Sequence, residues 1–285
     1  MLLLNDPRVF HYLKVVKILK LLSCGKVFDF VFLRIIGFLV INGFVRFINC
    51  DSGKLIINGV YILYRSSREL ASDTELLLKI MGLPLKFKVI RRSIYQVIID
   101  YRRFDPRDKV IVDVGAYIRD SALYFAYKGA KLVIAVEPHP EAYFEMLKNI
   151  KLNGHGGRII PINAAISSRH GCVDARGTVI TALTQYYTPS TKANDCIIKA
   201  ITLGDLIKAF NLTKGTALKM DCEGCELDVI LNDCEHVRLF RESIFEYHPR
   251  LVNKSLDDLL NVLGRDYKCE MKGDNNQGIM HYIRK

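Results

Sequence analysis

Two short acidic segments hold the residue types that proton transfer needs. The first is Lys219-Met220-Asp221-Cys222-Glu223-Gly224-Cys225-Glu226, where two carboxylates two positions apart follow an apolar run. At a strand end such a pair can orient a substrate, deprotonate a hydroxyl or face a cationic ligand centre. It can equally cap the helix that follows. The second segment is Phe245-Glu246-Tyr247-His248-Pro249. Histidine is the usual proton acceptor near neutral pH, and it is also common on a surface before a proline turn. Asp221, Glu223, Glu246 and His248 are the candidate catalytic residues, with Asp221 and His248 ranked equal as proton acceptor.

A binding chemistry is written upstream. In Val110-Ile111-Val112-Asp113-Val114-Gly115-Ala116-Tyr117-Ile118-Arg119-Asp120-Ser121 an apolar strand runs into a glycine turn, and a polar pair opens the next helix. Gly115 lets the backbone approach a ligand closely. The three-glycine dinucleotide fingerprint is missing, so a nucleoside without phosphates fits better than a pyrophosphate. Glu137, in Ala135-Val136-Glu137-Pro138, lies 22 residues beyond Gly115. An acid about 20 residues on can accept both hydrogen bonds of a ribose diol, and Pro138 ends its strand. In Asn163-Ala164-Ala165-Ile166-Ser167 the small residues leave room for a base ring that Asn163 can read; packing alone is the alternative. The candidate binding set is Asp113, Gly115, Ala116, Tyr117, Asp120, Ser121, Glu137, Pro138, Asn163 and Ala164.

Eight cysteines are scattered along the chain, and Cys222 and Cys225 form a single C-x-x-C. With no second such pair and no ordered Cys/His set, no metal is expected. Nor is a regular disulfide framework, which suits a reducing cytoplasm.

The elements that must position these residues follow from periodicity. From Lys109 onward apolar strands alternate with helices: strands at 109–114, 131–137, 158–164, 217–222 and 243–247, with helices at 121–128, 140–152, 203–210, 226–231 and 255–263. An antiparallel pair at 267–271 and 278–283 closes the chain. This alternation implies a parallel sheet covered on both faces, an α/β Rossmann-like architecture whose ligands bind at the strands' C-terminal ends. The polar break Asp105-Pro106-Arg107-Asp108 divides the chain into 1–107 and 108–285.

Residues 1–107 carry 18 Lys+Arg against 8 Asp+Glu, a net of +10, whereas 108–285 carry 23 against 22, a net of +1. Such asymmetry suits an anionic partner for the first part, or simply a solvated basic face. Residues 9–24 read as a helix with Lys14, Lys17 and Lys20 at helical spacing, and 28–47 as a second apolar helix. Asn58-Gly59 between two β-prone runs signals a hairpin. Residues 72–81 read as a further helix. The beginning, MLLLND, does not read as a signal peptide, and Asp29, Arg34 and Arg46 interrupt the greasiest stretch, so no membrane-spanning helix is expected. The expected location is the cytoplasm, peripheral to an anionic membrane surface through the N-terminal part.

With these sites in order the chain resembles the FkbM family of methyltransferases. The segments that carry the resemblance are VDVGAYIRDSA, AVEPHPEAYFEMLKNIKLN, INAAIS, ITLGDLI, KMDCEGCELDVI and FEYHP. The resemblance covers about Val110 to Lys285; its most specific part is Asp-x-Glu-Gly-x-Glu followed by Glu-x-His. It implies a class I methyltransferase fold, a mostly parallel seven-stranded sheet with an antiparallel C-terminal pair. It also implies S-adenosylmethionine as donor, and O-methylation of a hydroxyl on a small-molecule, glycan or lipid acceptor. Asp113, Gly115 and Glu137 would belong to the donor pocket; Asp221, Glu223, Glu246 and His248 would face the acceptor. Members usually read Gly-Ala-Asn-Ile-Gly in the first loop, and here Tyr117 and Arg119 replace the Asn and the second Gly. Two other classes compete. One is a binding module with a decayed pocket, which S-adenosylmethionine titration would separate. The other is a nucleic-acid methyltransferase, against which stand the Leu, Ile and Phe interleaved with the N-terminal charges and the lack of a base-methylation motif. Oligomeric state is left open.

Overall fold

The computed structural model describes residues 37, 39–41, 43–45, 48–51, 54–57, 60–62, 78–79, 81–83, 85–87, 97–98, 100–117, 120–173 and 198–285. The chain forms two compact units, Met1–Lys86 and Phe87–Lys285. In the first, β1 (Ile48–Asp51), β2 (Lys54–Ile57) and β3 (Val60–Ile62) make an antiparallel meander. Ile57 pairs with Val60, so the expected hairpin is present, while Asn58 and Gly59 themselves lie outside the described residues. The helices expected at 9–24 and 28–47 lie wholly or largely outside them; that at 72–81 is described as helical only at Leu78 and Lys79.

The second unit holds a seven-stranded sheet. Its strands are β4 (Val110–Val114), β5 (Leu132–Val136), β6 (Ile159–Ile162), β10 (Ala217–Met220), β11 (Glu242–Tyr247), β12 (Tyr267–Gly273) and β13 (Gly278–Arg284). The order is β12-β13-β11-β10-β4-β5-β6, parallel from β11 to β6, with β13 antiparallel to both of its neighbours. This is the Rossmann-like methyltransferase arrangement expected. Short strands β7 (Ala165–Ile166), β8 (Gly171–Val173) and β9 (Ile198–Ile201) form a separate small sheet. Residues 174–197, most of the span read as irregular and β-leaning, lie outside the described residues.

Helices α1 (Asp120–Tyr127), α2 (Pro140–Asn153), α3 (Leu203–Phe210), α4 (Cys225–Asn232), α5 (Cys234–Val237) and α6 (Leu256–Leu263) complete the unit. Their ends follow local chemistry. Pro140 opens α2, where its missing N–H costs nothing, and Gly154 closes it at φ 68°. Thr202/Asp205 and Ser255/Asp258 make reciprocal capping boxes on α3 and α6. Central strands are mostly apolar because helices cover both faces: Val112, Ile134, Leu218 and Phe245 are all buried. Upstream of β4, Tyr101 and Phe104 pack their rings 5.6 and 5.4 Å from Phe125 of α1.

Register is what makes a site. Val114 is level with both Met220 and Val136, Val136 with Ile162, and Met220 with Phe245. The loops beginning at Gly115, Glu137, Asn163 and Asp221 therefore leave the sheet at one level, beside Glu246 near the end of β11. The strand order reverses between β4 and β10, where open α/β sheets form their ligand crevice.

Candidate functional site: a nucleoside crevice beside a carboxylate-ringed histidine

The crevice floor is the turn after β4. Gly115 has φ 73°, and a Cβ there would stand 1.8 Å from the Asp221 carbonyl oxygen. Glycine is required on both counts. The N–H groups of Gly115 and Ala116 both donate to the Val136 carbonyl, at 3.0 and 3.1 Å. Asp113, wholly buried, accepts from Ser121 Oγ (2.7 Å) and lies 3.0 Å from Lys219 Nζ, so it fastens the strand to the start of α1. Asp120 takes the Ser121 N–H at 3.0 Å.

Glu137 closes the opposite side. Its two oxygens accept the N–H groups of Tyr117 and His139, each at 2.8 Å. A carboxylate offers about four lone-pair directions, so capacity for a diol remains. Burial pushes its pKa up to about 7 despite these bonds. Asn163 sits differently from the base-reading position envisaged for it. Its side chain is exposed, and its amide nitrogen donates to the Glu137 (2.8 Å) and Pro138 (3.1 Å) carbonyls, so it braces the Glu137 loop. Pro138 and Ala164 line the crevice together with Val136, Ile166 and the cysteines Cys222 and Cys225. Ser167 and Ser168 hydroxyls donate to Asp228 of α4 at 2.9 and 2.8 Å, tying the Asn163–Ser167 segment to the acidic loop.

Tyr117 has φ 48°, the left-handed region. Asparagine tolerates that region better than an aromatic residue does. The usual asparagine of the family loop therefore answers a backbone demand. Arg119 lies outside the described residues.

The acidic wall is built around His248, which is buried. Glu226 Oε1 accepts its backbone N–H at 2.9 Å and lies 3.1 Å from Nδ1. Its Nε2 lies 3.5 Å from Glu223 and 3.7 Å from Glu246. Burial works against a charge there, but the carboxylates outweigh it and raise the pKa to about 11. These carboxylates favour the protonated ring. Burial raises Glu223 to about 7, and burial followed by repulsion from Glu246 holds Asp221 well above the usual carboxylate range. Glu246 is instead lowered: burial raises it, and the hydrogen bond and charge of His248 prevail.

The structure thus gathers Asp221, Glu223, Glu246 and His248 at one wall, and Gly115, Pro138 and Ala164 at the crevice beside it, with Ala116, Tyr117 and Glu137 in the adjoining turns. Two members escaped the sequence reading. Lys219, wholly buried, reaches the Gly115 carbonyl (2.9 Å), the Val114 carbonyl (3.3 Å) and Asp113, with Asp221 at 3.9 Å. Its signal was a lone cation in an otherwise apolar strand. Glu226, fully buried, is the fixed partner of His248. Its signal was its place as the last acid of Asp-x-Glu-Gly-x-Glu.

Among the described residues two groups bring three ligand-type atoms within 4.8 Å: Asp221/Glu223/His248 and Cys222/Cys225/Glu226. In the second the sulfurs are joined, since Cys222 and Cys225 form a disulfide. Cys172 is also disulfide-bonded. No regular disulfide framework is expected from the sequence, and its pattern does not single out these bonds. No described helix is long and apolar enough to cross a membrane.

Known proteins bear on this geometry. Residues 113–270 match the family described as the methyltransferase FkbM domain. A hexuronic acid methyltransferase, AglP of Haloferax volcanii, is 27% identical over 154 residues, 54% of this chain and 62% of that protein, so the match spans less than two thirds of this relative. Among solved structures, M. capricolum TrmK in complex with S-adenosyl-homocysteine aligns at 14% identity over 69% of each chain, with a TM-score of 0.41. A methyltransferase from Geobacter sulfurreducens aligns at 14% identity over 78% of this chain and 92% of its own, with a TM-score of 0.39. The family match spans more than half of the sequence and contains the crevice and the acidic wall alike, and the chain belongs to the FkbM family of S-adenosylmethionine-dependent methyltransferases.

Proposed function

We propose that the protein transfers the methyl group of S-adenosylmethionine to a hydroxyl of a sugar, glycolipid or secondary metabolite. The observation that carries this reading is the buried side chain of His248, flanked by Glu223, Glu226 and Glu246 beside the strand-end crevice. A hexuronic acid methyltransferase among the relatives supports a sugar acceptor.

In this reading Gly115, Ala116, Tyr117, Glu137, Pro138 and Ala164 hold the donor, with Glu137 on the ribose. Asp113, Asp120, Ser121 and Asn163 brace their loops. The acceptor hydroxyl gives its proton to Glu223 as its oxygen attacks the methyl carbon. The C–S electron pair returns to sulfur and leaves S-adenosylhomocysteine. Much of the rate comes from alignment of the two substrates. The carboxylates around His248 favour its protonated form, so this reading gives the role of base to Glu223. His248 keeps Glu223 ionisable near neutral pH, and Asp221 shares a proton with Glu246.

The test is transfer from 13C-methyl-labelled S-adenosylmethionine to a panel of uronic acids, neutral hexoses and RNA, with and without a chelator. The expected product is an O-methyl sugar signal that chelation leaves unchanged. Label appearing on RNA, or on no acceptor hydroxyl, would overturn the assignment.

A further inference from the structure

Cys222 and Cys225 stand at the two variable positions of Asp-x-Glu-Gly-x-Glu, so neither the family pattern nor the proton chemistry calls for them. They are bonded to each other, and both line the crevice with Gly115, Val136, Pro138 and Ala164. We propose that Cys222–Cys225 is a thiol–disulfide exchange site, acted on by a dithiol reductant, whose reduction opens the S-adenosylmethionine crevice. This rests on the donor assignment made above.

The bridged loop has no slack. The Asp221 N–H donates to the Val114 carbonyl at 3.0 Å, and the Asp221 carbonyl abuts Gly115. Glu223 and Gly224 turn through φ values of 56° and 121°. A bond across this turn keeps the loop pressed on the crevice floor. The cleft that the bridge lines measures about 30 Å³, space for a water or two.

The bridge is placed to open. Cys222 is partly exposed, whereas Cys225 is 3% exposed and is the first residue of α4. A reductant thiolate therefore attacks Cys222 Sγ, forms a mixed disulfide and expels Cys225 as a thiolate at a helix N-terminus. The reductant's second thiol then attacks its own bonded sulfur and releases Cys222. The reductant leaves as a cyclic disulfide, and the protein has gained two electrons and two protons.

Glu226 favours that direction. Its Oε2 lies 3.3 Å from Cys222 Sγ and accepts the Gly224 N–H at 3.0 Å. A bridged sulfur has no proton to offer this buried carboxylate; a thiol donates one. The same side chain holds His248 through its other oxygen, so the redox state of Cys222 also reaches the acidic wall.

The experiment compares the full chain bridged and after dithiothreitol treatment. Alkylation and mass measurement confirm the state of Cys222 and Cys225, and circular dichroism confirms that the fold is kept. Each form is titrated with S-adenosylhomocysteine by calorimetry. The reduced chain is expected to bind at least about tenfold more tightly. Cys222→Ala should bind like the reduced chain and ignore reductant, which separates this bridge from that of Cys172. If that variant does not fold, Cys222→Ser, close to the thiol in size, breaks the same bridge and takes its place. Equal affinities, tighter binding by the bridged form, or a bridge that resists dithiothreitol until the chain unfolds would each overturn the proposal. Absence of binding by both forms would instead bring down the donor assignment and this proposal with it.

Discussion

At the scale of single residues, Glu223 and His248 divide a task that the sequence alone leaves undivided. Burial sets Glu223 near 7 even though the positive His248 lowers it. The active form is the carboxylate, so kcat/KM should rise with pH and level off above about 7. Glu223→Gln should abolish that limb and cut kcat by roughly a hundredfold or more while leaving donor affinity unchanged. His248→Gln removes a cation that stabilises the carboxylate, so the limb should move to higher pH. A limb that persists in Glu223→Gln would assign the base elsewhere. Glu137 is tested on binding. Losing a charge-assisted bond to a ribose diol costs about 1.5–3 kcal/mol, roughly ten- to a hundredfold in affinity. Because Glu137 also secures its loop, Asn163→Ala is the control: it frees the same loop at the Glu137 and Pro138 carbonyls without touching the carboxylate. Calorimetry with S-adenosylhomocysteine should show the full loss in Glu137→Ala and at most about threefold in Asn163→Ala. Equal losses would reduce Glu137 to a loop support. Acids and histidine were legible in the sequence because their types announce chemistry. The protonation of His248 was not, since it depends on Glu223, Glu226 and Glu246 converging through turns that no spacing reveals.

At the scale of elements, strands and helices of the second unit follow the sequence pattern to within a residue or two, because each is written locally: apolar runs for β4, β5 and β10, Pro140 and Gly154 at the ends of α2, and capping boxes on α3 and α6. Strand register and loop conformation are collective, and they hold what was missed: the bracing role of Asn163, the short helix α5, the two-residue strand β7 and the bridged turn after β10. The first crevice loop shows how a local conflict sits inside a consistent fold. Tyr117 occupies the left-handed region while its N–H holds Glu137. Such a conformation costs a bulky residue about 1 kcal/mol or more, and asparagine less. Tyr117→Asn should therefore stabilise the protein by about 1 kcal/mol in denaturant unfolding and leave the Glu137 bond in place. Unchanged or lowered stability would mean that contacts of the Tyr117 ring outweigh the backbone strain.

At the scale of the whole molecule, the charge is divided as unevenly as the chemistry. The net of +10 over residues 1–107 has no counterpart in the nearly neutral remainder that carries the crevice and the acidic wall. The family pattern covers residues 113–270 and is silent on the basic part. Lys14, Lys17 and Lys20 recur at helical spacing among Val, Leu and Ile, the composition of a helix that lies in a membrane interface. Each Lys or Arg near an anionic surface contributes about 1 kcal/mol, so a few suffice for reversible attachment. An enzyme acting on a glycolipid would gain from such attachment, because it confines the acidic wall to the surface where the acceptor resides. The competing account is that the basic segment packs against protein, either its own chain or a second copy. The two differ in their response to lipid and salt. A truncation before Phe87 keeps Tyr101 and Phe104 against Phe125 and leaves the second compact unit whole. The full chain should co-sediment with phosphatidylserine-containing vesicles at low salt and release as salt rises past the point where the Debye length falls below about 10 Å. The truncated chain should stay in the supernatant. Sedimentation of both, or of neither at low ionic strength, would remove the membrane account and leave the packing one.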